Sequence, residues 1–309
     1  MAQIFVSKWL KNSSAFTICD PVITSHHFYA LLLSIIGSDP KLKPWLYSEF
    51  IQIYTCRNRE DEKADIRLYN KDNEMFKYEP LHDAFIAPKR LVYGEQIIDV
   101  YKALLDSEQY IYDFVDKYYI KLFGFKNHFI HDLLIYGYDD NEQIFWVLAY
   151  NGSKLKKFSV PYSEYIEVYN SEYMQTRHHI TMLYRKKDGE YHIKKIGVYF
   201  MDYLHSINTF NRESLHKVNL YKSKFGLDIY DELKYILEYD LENHLKINIP
   251  DLYCLYDHKR FMCERVGSLQ KISQLDCLPE LAEKFNKIKQ SGSILAMLAI
   301  KLNQTGLYI

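Results

Sequence analysis

The alternation of apolar and polar positions predicts one buried helix and several strands in the first half of the chain. A nearly unbroken apolar run at residues 28–36 follows Thr24 and Ser25, residue types that cap helices. Because the run is apolar on all sides, it predicts a helix in the interior rather than on the surface. Residues 94–105 repeat apolar positions at helical spacing, whereas residues 109–120 alternate as in a strand.

A β-hairpin is predicted over residues 131–150, HDLLIYGYDDNEQIFWVLAY. His131 opens a run of strand-forming residues that ends at Tyr136, and residues 143–150 form a second such run. Between them, residues 137–141 are of types typical of a tight turn. A histidine at the start of such a hairpin is held in one place, as a general base must be.

The second half of the chain is predicted to be mainly helical. Residues 180–185 and 191–195 flank the turn-like sequence KKDGE and predict a second hairpin. Apolar positions then take helical spacing in four stretches, at residues 198–206, 226–238, 251–269 and 278–301. A boundary near residues 171–178 therefore predicts a first domain at 1–175 and a region at 176–309 that combines the hairpin with helices.

The composition argues against a nucleic-acid-binding surface and against a membrane span. The 309 residues carry a formal net charge of −1 with acidic and basic residues interspersed, so no basic surface for nucleic acid is expected. No run approaches the roughly 18 apolar residues of a transmembrane helix. Residues 1–16 lack the apolar core of a signal peptide. We therefore expect a cytoplasmic protein that does not bind membranes.

The cysteines predict reduced thiols rather than disulfides or a zinc site. Five are present and none forms a Cys-x-x-Cys pair: Cys19, Cys56, Cys254, Cys263 and Cys277. His26 and His27 are adjacent, so on a helix they point in different directions, which disfavours a shared metal ion. We expect neither a metal nor a cofactor.

The order of the predicted elements matches the requirements of a thiol-dependent acyl-transfer site. Such a site needs a nucleophile at the N-terminus of a buried helix, where the helix dipole helps to stabilise a thiolate. It also needs a histidine from a sheet and an Asp or Asn that orients the imidazole. The chain has its buried helix early and His131 on a later strand, which is the expected order.

The sequence HDLLIYGYDD at residues 131–140 resembles the histidine-bearing strand of papain-like peptidases that trim double-glycine leader peptides. In that group a histidine begins an apolar strand ending in Gly-Tyr-Asp, which His131, Gly137, Tyr138 and Asp139 match. The resemblance is greater to papain-like acyltransferases of the butirosin-biosynthesis type. That type occurs with nonribosomal-peptide and other natural-product gene clusters and moves acyl groups from carrier proteins.

Further segments extend the resemblance. FWVLAYN and KKFSVPYSEYIEVY resemble the second strand and the short helix that follow in the family, and DHKRFM at residues 257–262 resembles a late helical element of some members. The resemblance covers residues 15–175 and implies an α+β fold. We expect a papain-like domain, in which a buried N-terminal helix packs on an antiparallel sheet, followed by a mainly helical region.

The residues that should complete the site depart from the family pattern. Ser25 stands near the place of the family's cysteine, and Cys19 lies before Pro21, about one and a half helical turns too early. The nucleophile is therefore Ser25, Cys19 or absent. Strand alternation puts Ala149 where an orienting Asp is expected, and Asn151 is the candidate substitute. No glutamine precedes the helix to stabilise an oxyanion.

Two functions follow from the resemblance. The first is acyl or peptidyl transfer, or thioester cleavage, on an intermediate linked to an acyl or peptidyl carrier protein in natural-product biosynthesis. In it, His131 is the general base, Asn151 orients it, and Ser25 or Cys19 is the nucleophile. The alternative is a catalytically degenerate papain-fold protein that binds a partner of such a pathway. The intact histidine strand favours the enzyme, and the missing cysteine and aspartate favour the binding protein.

Overall fold

The chain forms two compact units, each built from two separate segments. The sheet unit contains residues 1–20 and 75–187, and the helical unit contains residues 21–74 and 188–309. The predicted division at residue 175 differs from this one, because residues 21–74 group with the C-terminal helices. The structure, a computed structural model, describes residues 12–57, 64–70, 78–86, 94, 96–172, 174, 180–185, 188–213, 222–272 and 278–305.

The described residues form nine strands and nine α-helices. The strands are β1 (Ser13–Ala15), β2 (Ile53–Arg57), β3 (Ala64–Leu68), β4 (Leu81–Ile86), β5 (Tyr110–Asp116), β6 (Ile130–Asp139), β7 (Ile144–Asn151), β8 (Lys154–Pro161) and β9 (Ile180–Arg185). The helices are α1 (His27–Ser38), α2 (Lys43–Leu46), α3 (Gln96–Asp106), α4 (Tyr162–Asn170), α5 (Ile193–Leu204), α6 (Phe210–Glu213), α7 (Ile229–Glu242), α8 (Ile249–Ile272) and α9 (Leu278–Thr305).

An antiparallel sheet of seven strands organises the sheet unit. Its strand order is β4-β9-β5-β6-β7-β8, and the short β1 pairs with the end of β6. Period-two alternation gives β5, β6 and β7 one apolar face, and α3 and α4 pack against it. The buried residues of this core include Ile97, Tyr101, Ile111, Val115, Leu133, Ile135, Val147 and Tyr165. Each fully buried side chain of this size contributes about 1.5–3 kcal/mol to folding.

The hairpin that begins near His131 is present, with a longer first strand than predicted. β6 continues through Gly137 to Asp139, so the prediction that residues 137–139 belong to the turn is wrong. The ladder with β7 shifts its register between Ile135 and Gly137. A Cβ added to Gly137 would lie 2.5 Å from the Ser14 carbonyl oxygen. Gly137 is therefore a point of close backbone approach by β1 rather than a turn residue.

The helical unit is organised around α1, and the predicted buried helix is confirmed. Residues 29–36 are all buried in this helix. The long helices α8 and α9 pack against each other where α9 carries small residues, with Gly292 close to Tyr256 and with Ala296 and Ala299 only 3% exposed. β2 and β3 form a two-stranded antiparallel sheet in the same unit.

The second predicted hairpin is wrong. Residues 180–185 do form a strand, but β9 pairs with β4 and β5 rather than with residues 191–195. Residues 193–204 instead form helix α5, which buries Ile196, Tyr199 and Tyr203 at spacings of three and four residues. The predicted boundary falls partly on residues 175–179, which lie outside the described residues.

The fold is α+β, with an antiparallel sheet and a helical C-terminal region, as the sequence predicted. None of the described helices combines the length and the apolar character needed to cross a membrane.

Candidate functional site

His131 lies at the start of β6 against the carboxylate of the next residue. Its Nδ1 is 2.6 Å from Oδ1 of Asp132. The Asp132 side chain is fully buried, whereas that of His131 keeps 23% of its surface exposed. A carboxylate at this distance favours the tautomer with the proton on Nδ1, which leaves Nε2 as a proton acceptor. The pair therefore has the arrangement that a general base requires.

The buried Asp132 is held from a second direction by β5. The hydroxyl of Tyr112 donates a hydrogen bond to Oδ2 of Asp132. Phe114 is the Cα partner of Asp132 and Leu134 is that of Tyr112, so the two polar side chains project from the same face as diagonal neighbours. Tyr112 is thus hydrogen-bonded to one oxygen of Asp132, while the partly exposed imidazole of His131 lies against the other oxygen.

Lys117 is a buried cation whose backbone N–H donates to the Phe129 carbonyl, just before β6. It is only 1% exposed and lies in a short 3₁₀ turn that follows β5. Its Nζ donates to the Tyr150 carbonyl at 2.8 Å and lies 4.6 Å from the centre of the Phe123 ring. Burial lowers the pKa of Lys117 to about 8, although the negative charge of Asp132 acts in the opposite direction.

Asn151 lies at the last position of β7, where it pairs with Lys154 of β8. The β6–β7 ladder begins with the pair Leu134 and Leu148. His131 and Asn151 are each three positions beyond that pair, so they lie at the same end of the two strands. The role of Asn151 as the orienting residue stays a prediction. The side chain that contacts Nδ1 of His131 is that of Asp132.

A second histidine–carboxylate pair lies beside the first. Nδ1 of His128 is 2.6 Å from Oδ2 of Asp116, and the His128 side chain is 63% exposed. The other oxygen of Asp116 accepts the backbone N–H groups of Tyr118 and Phe129. Because Asp116 caps the turn that carries Lys117, this pair fixes the backbone around the site and has a structural explanation.

Ser25 belongs to the helical unit, where its backbone is already engaged. Its N–H donates to Oδ2 of Asp257 at 2.8 Å, and the N–H of Thr24 donates to the same oxygen at 2.5 Å. The side chain of Asp257 is fully buried. A papain-like nucleophile uses its own N–H to stabilise the oxyanion of the tetrahedral intermediate. At Ser25 a carboxylate occupies that position, which disfavours Ser25 as the nucleophile.

The hydroxyl of Ser25 has two further neighbours. Its Oγ is 3.4 Å from Nδ1 of His26, and it lies near the thiol of Cys254. Burial, assisted by the charge of Arg67, lowers the pKa of His26 to about 4, so this imidazole is neutral at pH 7. Burial raises the pKa of the Cys254 thiol, which keeps it protonated and unreactive.

The sequence DHKRFM, residues 257–262, lies in α8 and holds the segment before α1. Arg260 pairs with Asp257 at 3.0 Å and donates from the same nitrogen to the carbonyls of Pro21 and Val22. Nε2 of His258 lies 2.8 Å from the carbonyl of Ile51. This element is therefore a structural clamp in the helical unit.

Cys19 lies in the sheet unit, four residues after β1, and is partly exposed. Of the predicted site residues, Cys19, His131 and Asn151 thus belong to the sheet unit, and Ser25 to the helical unit. The expectation of no metal and no cofactor stays a prediction.

Asp132, Tyr112 and Lys117 were missed by sequence reasoning. Adjacent strand residues point to opposite faces, so strand alternation does not indicate Asp132 as the partner of His131. The pattern did hold a signal, because an Asp inside an otherwise apolar strand needs a buried partner. A tyrosine on the preceding strand is such a partner.

Comparison of the chain with models of known protein families gives no match, and neither does comparison with curated proteins. The papain-like resemblance therefore rests on the residues quoted above.

Proposed function

We propose that the protein transfers an acyl group from a thioester, with His131 as the general base. The observation that carries this proposal is the close contact of His131 with the buried Asp132 carboxylate, which Tyr112 holds from the neighbouring strand. A buried carboxylate against Nδ1 fixes the tautomer and stabilises the imidazolium that forms when Nε2 accepts a proton. The carrier-protein donor and the natural-product pathway follow from the resemblance of the His131 strand.

The reaction takes place in two steps. A nucleophile, Cys19 or Ser25, attacks the thioester carbonyl, and the donor's thiol leaves with the proton that His131 has accepted. An amine or a hydroxyl then attacks the acyl-enzyme, and the proton it loses returns through His131 to the nucleophile. The occupied N–H of Ser25 favours Cys19.

A labelling experiment tests the proposal. The purified protein is incubated with a panel of acyl thioesters of N-acetylcysteamine and of an acyl carrier protein, and its intact mass is recorded. We expect an acyl adduct that is lost in Cys19→Ala, with Ser25→Ala as the matched comparison. His131→Ala and Asp132→Asn should slow thioester consumption, the former by about 10²–10⁴-fold. Turnover that is unchanged in both variants, or that is absent throughout, would contradict the proposal.

The alternative is a binding protein with a degenerate site, and the contact between Asp257 and Ser25 favours it. A carboxylate at the N-terminus of α1 repels the oxyanion that a Ser25-based enzyme must stabilise. The same carrier protein distinguishes the two functions. Saturable binding without turnover or adduct, measured by calorimetry, supports the alternative.

A further inference from the structure

The strand β8 is an edge of the seven-stranded sheet. In the strand order, β7 lies on one side of β8 and no described strand lies on the other. β8 spans eight residues, Lys154–Pro161, and its ladder with β7 runs without a register shift. Many sheet edges are prevented from binding a further strand because they are short, bulged or interrupted by proline. β8 is long and regular, and its one proline is its last residue.

The ladder with β7 determines which main-chain groups of β8 face outward. The N–H of Tyr162 donates to the Gln143 carbonyl at 2.8 Å, so these residues form a hydrogen-bonded pair of the antiparallel ladder. Because such pairs alternate with non-hydrogen-bonded ones, every second residue of β8 directs its N–H and C=O groups away from β7. Pro161 belongs to this outward series and fits it, because proline lacks the N–H that would face outward. The other members are Leu155, Lys157 and Ser159.

The outward main-chain groups have no partner in the described part of the chain. No described residue forms a hydrogen bond with the N–H or C=O group of Leu155, Lys157 or Ser159. Lys157 and Ser159 are exposed, and Leu155 is half-buried. Donors and acceptors that recur every second residue match those that an extended peptide presents along its own edge. The edge therefore has the hydrogen-bonding pattern that accepts an added strand.

The charge of the same strand determines which peptide it attracts. Lys154, Lys156 and Lys157 are all exposed, and none of them forms an ion pair with a described residue. Nζ of Lys157 donates to the carbonyl of Ile18 at 3.3 Å, which leaves the lysine charge uncompensated. A second copy of β8 would bring two groups of lysines close together, and like charges that face each other destabilise a sheet. Carboxylates on the added strand would be attracted instead.

We propose that the outer edge of β8 binds an extended acidic peptide segment of a partner protein, which joins the sheet as a further strand. Main-chain hydrogen bonds hold the segment, and the lysines select its carboxylates. These carboxylates lie at the Lys154 end of β8, because Asp140 and Glu142 line a cleft at the Pro161 end. This binding site is separate from the proposed acyl transfer and does not depend on it.

Hydrogen exchange of the full chain, measured by NMR, tests the main-chain bonds. The probe is a capped seven-residue peptide of alternating Glu and Thr. In the protein alone, the outward N–H groups of Leu155, Lys157 and Ser159 should exchange quickly, and those of Lys156 and Phe158, which face β7, should be protected. With the peptide at ten times its Kd, the outward groups should exchange about tenfold more slowly, because about one molecule in ten is unbound. The same peptide N-methylated at every residue should give no protection.

Substitution of two lysines tests the charge selection. Lys154→Gln combined with Lys156→Gln should raise the Kd of the acidic peptide, measured by fluorescence polarisation, by roughly two- to thirtyfold, as expected for two exposed ion pairs. The matched control is Lys194→Gln combined with Lys246→Gln, which removes the same charge from exposed positions of the helical unit and should leave the Kd unchanged.

Several outcomes overturn the proposal. Lysines that only prevent aggregation of an open edge predict no saturable binding of the acidic peptide. Equal affinity for the corresponding Lys–Thr peptide, or equal Kd values for the two double variants, contradicts the charge selection. Protection that the N-methylated peptide also gives contradicts the added strand. A dimer in analytical ultracentrifugation that protects the same three N–H groups assigns the edge to a second copy of the chain instead.

Discussion

Replacing Asp257 tests how the N-terminus of the central helix α1 is stabilised. The N-cap residue of α1, His26, makes no side-chain capping bond. Oδ2 of Asp257 instead accepts the N–H groups of Thr24 and Ser25, and Oδ1 pairs with Arg260. Asp257→Ala leaves two part-buried N–H groups without this acceptor and separates Arg260 from its carboxylate. We expect the helical unit to be destabilised.

The magnitude follows from the number and the type of these bonds. Two hydrogen bonds to a charged acceptor contribute about 1.5–3 kcal/mol each. Because both bonds share the oxygen Oδ2 and because burying the carboxylate is itself unfavourable, we expect a net loss of about 3 kcal/mol. Burial raises the pKa of Asp257, so its ionised form is itself disfavoured in the folded protein. Both variants remove the charge, and they differ in whether an acceptor oxygen remains. Asp257→Asn keeps such an oxygen and should cost about 1 kcal/mol.

Urea denaturation, followed by circular dichroism, measures both variants. The order should be native, then Asn, then Ala, with an Ala effect of about 3 kcal/mol, which corresponds to roughly 6–12 °C for a domain of 150–250 residues. Glu280→Gln is the control, because Glu280 forms an exposed pair with Lys284 in α9 and its loss should leave the midpoint unchanged. The reasoning is refuted if Asp257→Ala is as stable as the control, or if Asn is as damaging as Ala.

Two further predictions concern stability. Burial lowers the pKa of Lys259 to about 7 from 10.5, so the unfolded chain holds a proton that the folded chain lacks between these values, and native stability rises with pH there. In urea titrations, Lys259→Met should therefore have a higher free energy of unfolding than the native protein at pH 6, and this difference should be smaller at pH 9. A difference that stays constant between the two pH values would refute this prediction. Gly137→Ala should destabilise the sheet unit by about 1–3 kcal/mol, because the added Cβ would lie 2.8 Å from the Ala15 Cα. The control is Gly197→Ala, which adds a Cβ to an open position inside α5 and should be neutral or stabilising. Equal melting temperatures for the two alanine variants would contradict that reasoning.

The elements that sequence predicted well are those set by local pattern. The apolar run at residues 28–36 needs only its own composition to indicate a buried helix, and α1 has the expected extent. The alternation at residues 109–120 likewise indicates a strand, of which β5 occupies Tyr110–Asp116 before a 3₁₀ turn begins at Lys117. Where the pattern was misread, a distant segment decided the structure. Gly137 has the residue type of a turn, but pairing with β1, more than 100 residues earlier in the chain, keeps it in a strand.

The candidate site shows the same limit. The position of His131 at the start of a strand is a local property and was predicted. The carboxylate beside it, Asp132, is bonded by Tyr112 of β5, and only the register of β5 against β6 brings these two residues together. The predicted Ser25 is a clearer case, because the residue that accepts its N–H, Asp257, is 232 positions away. No pattern near Ser25 indicates that partner.

That separation has a consequence for how the chain is made. The segment that caps the buried helix α1 is synthesised 232 residues after it, and the whole central part of the sheet unit is translated in between. At about 5–20 residues per second, Asp257 is synthesised roughly 10–50 s after the apolar residues 28–36. The sheet unit, whose central and largest segment is continuous, can fold during that interval, while the helical unit cannot. The most hydrophobic stretch of the chain therefore lacks its partner in α8 for most of its synthesis.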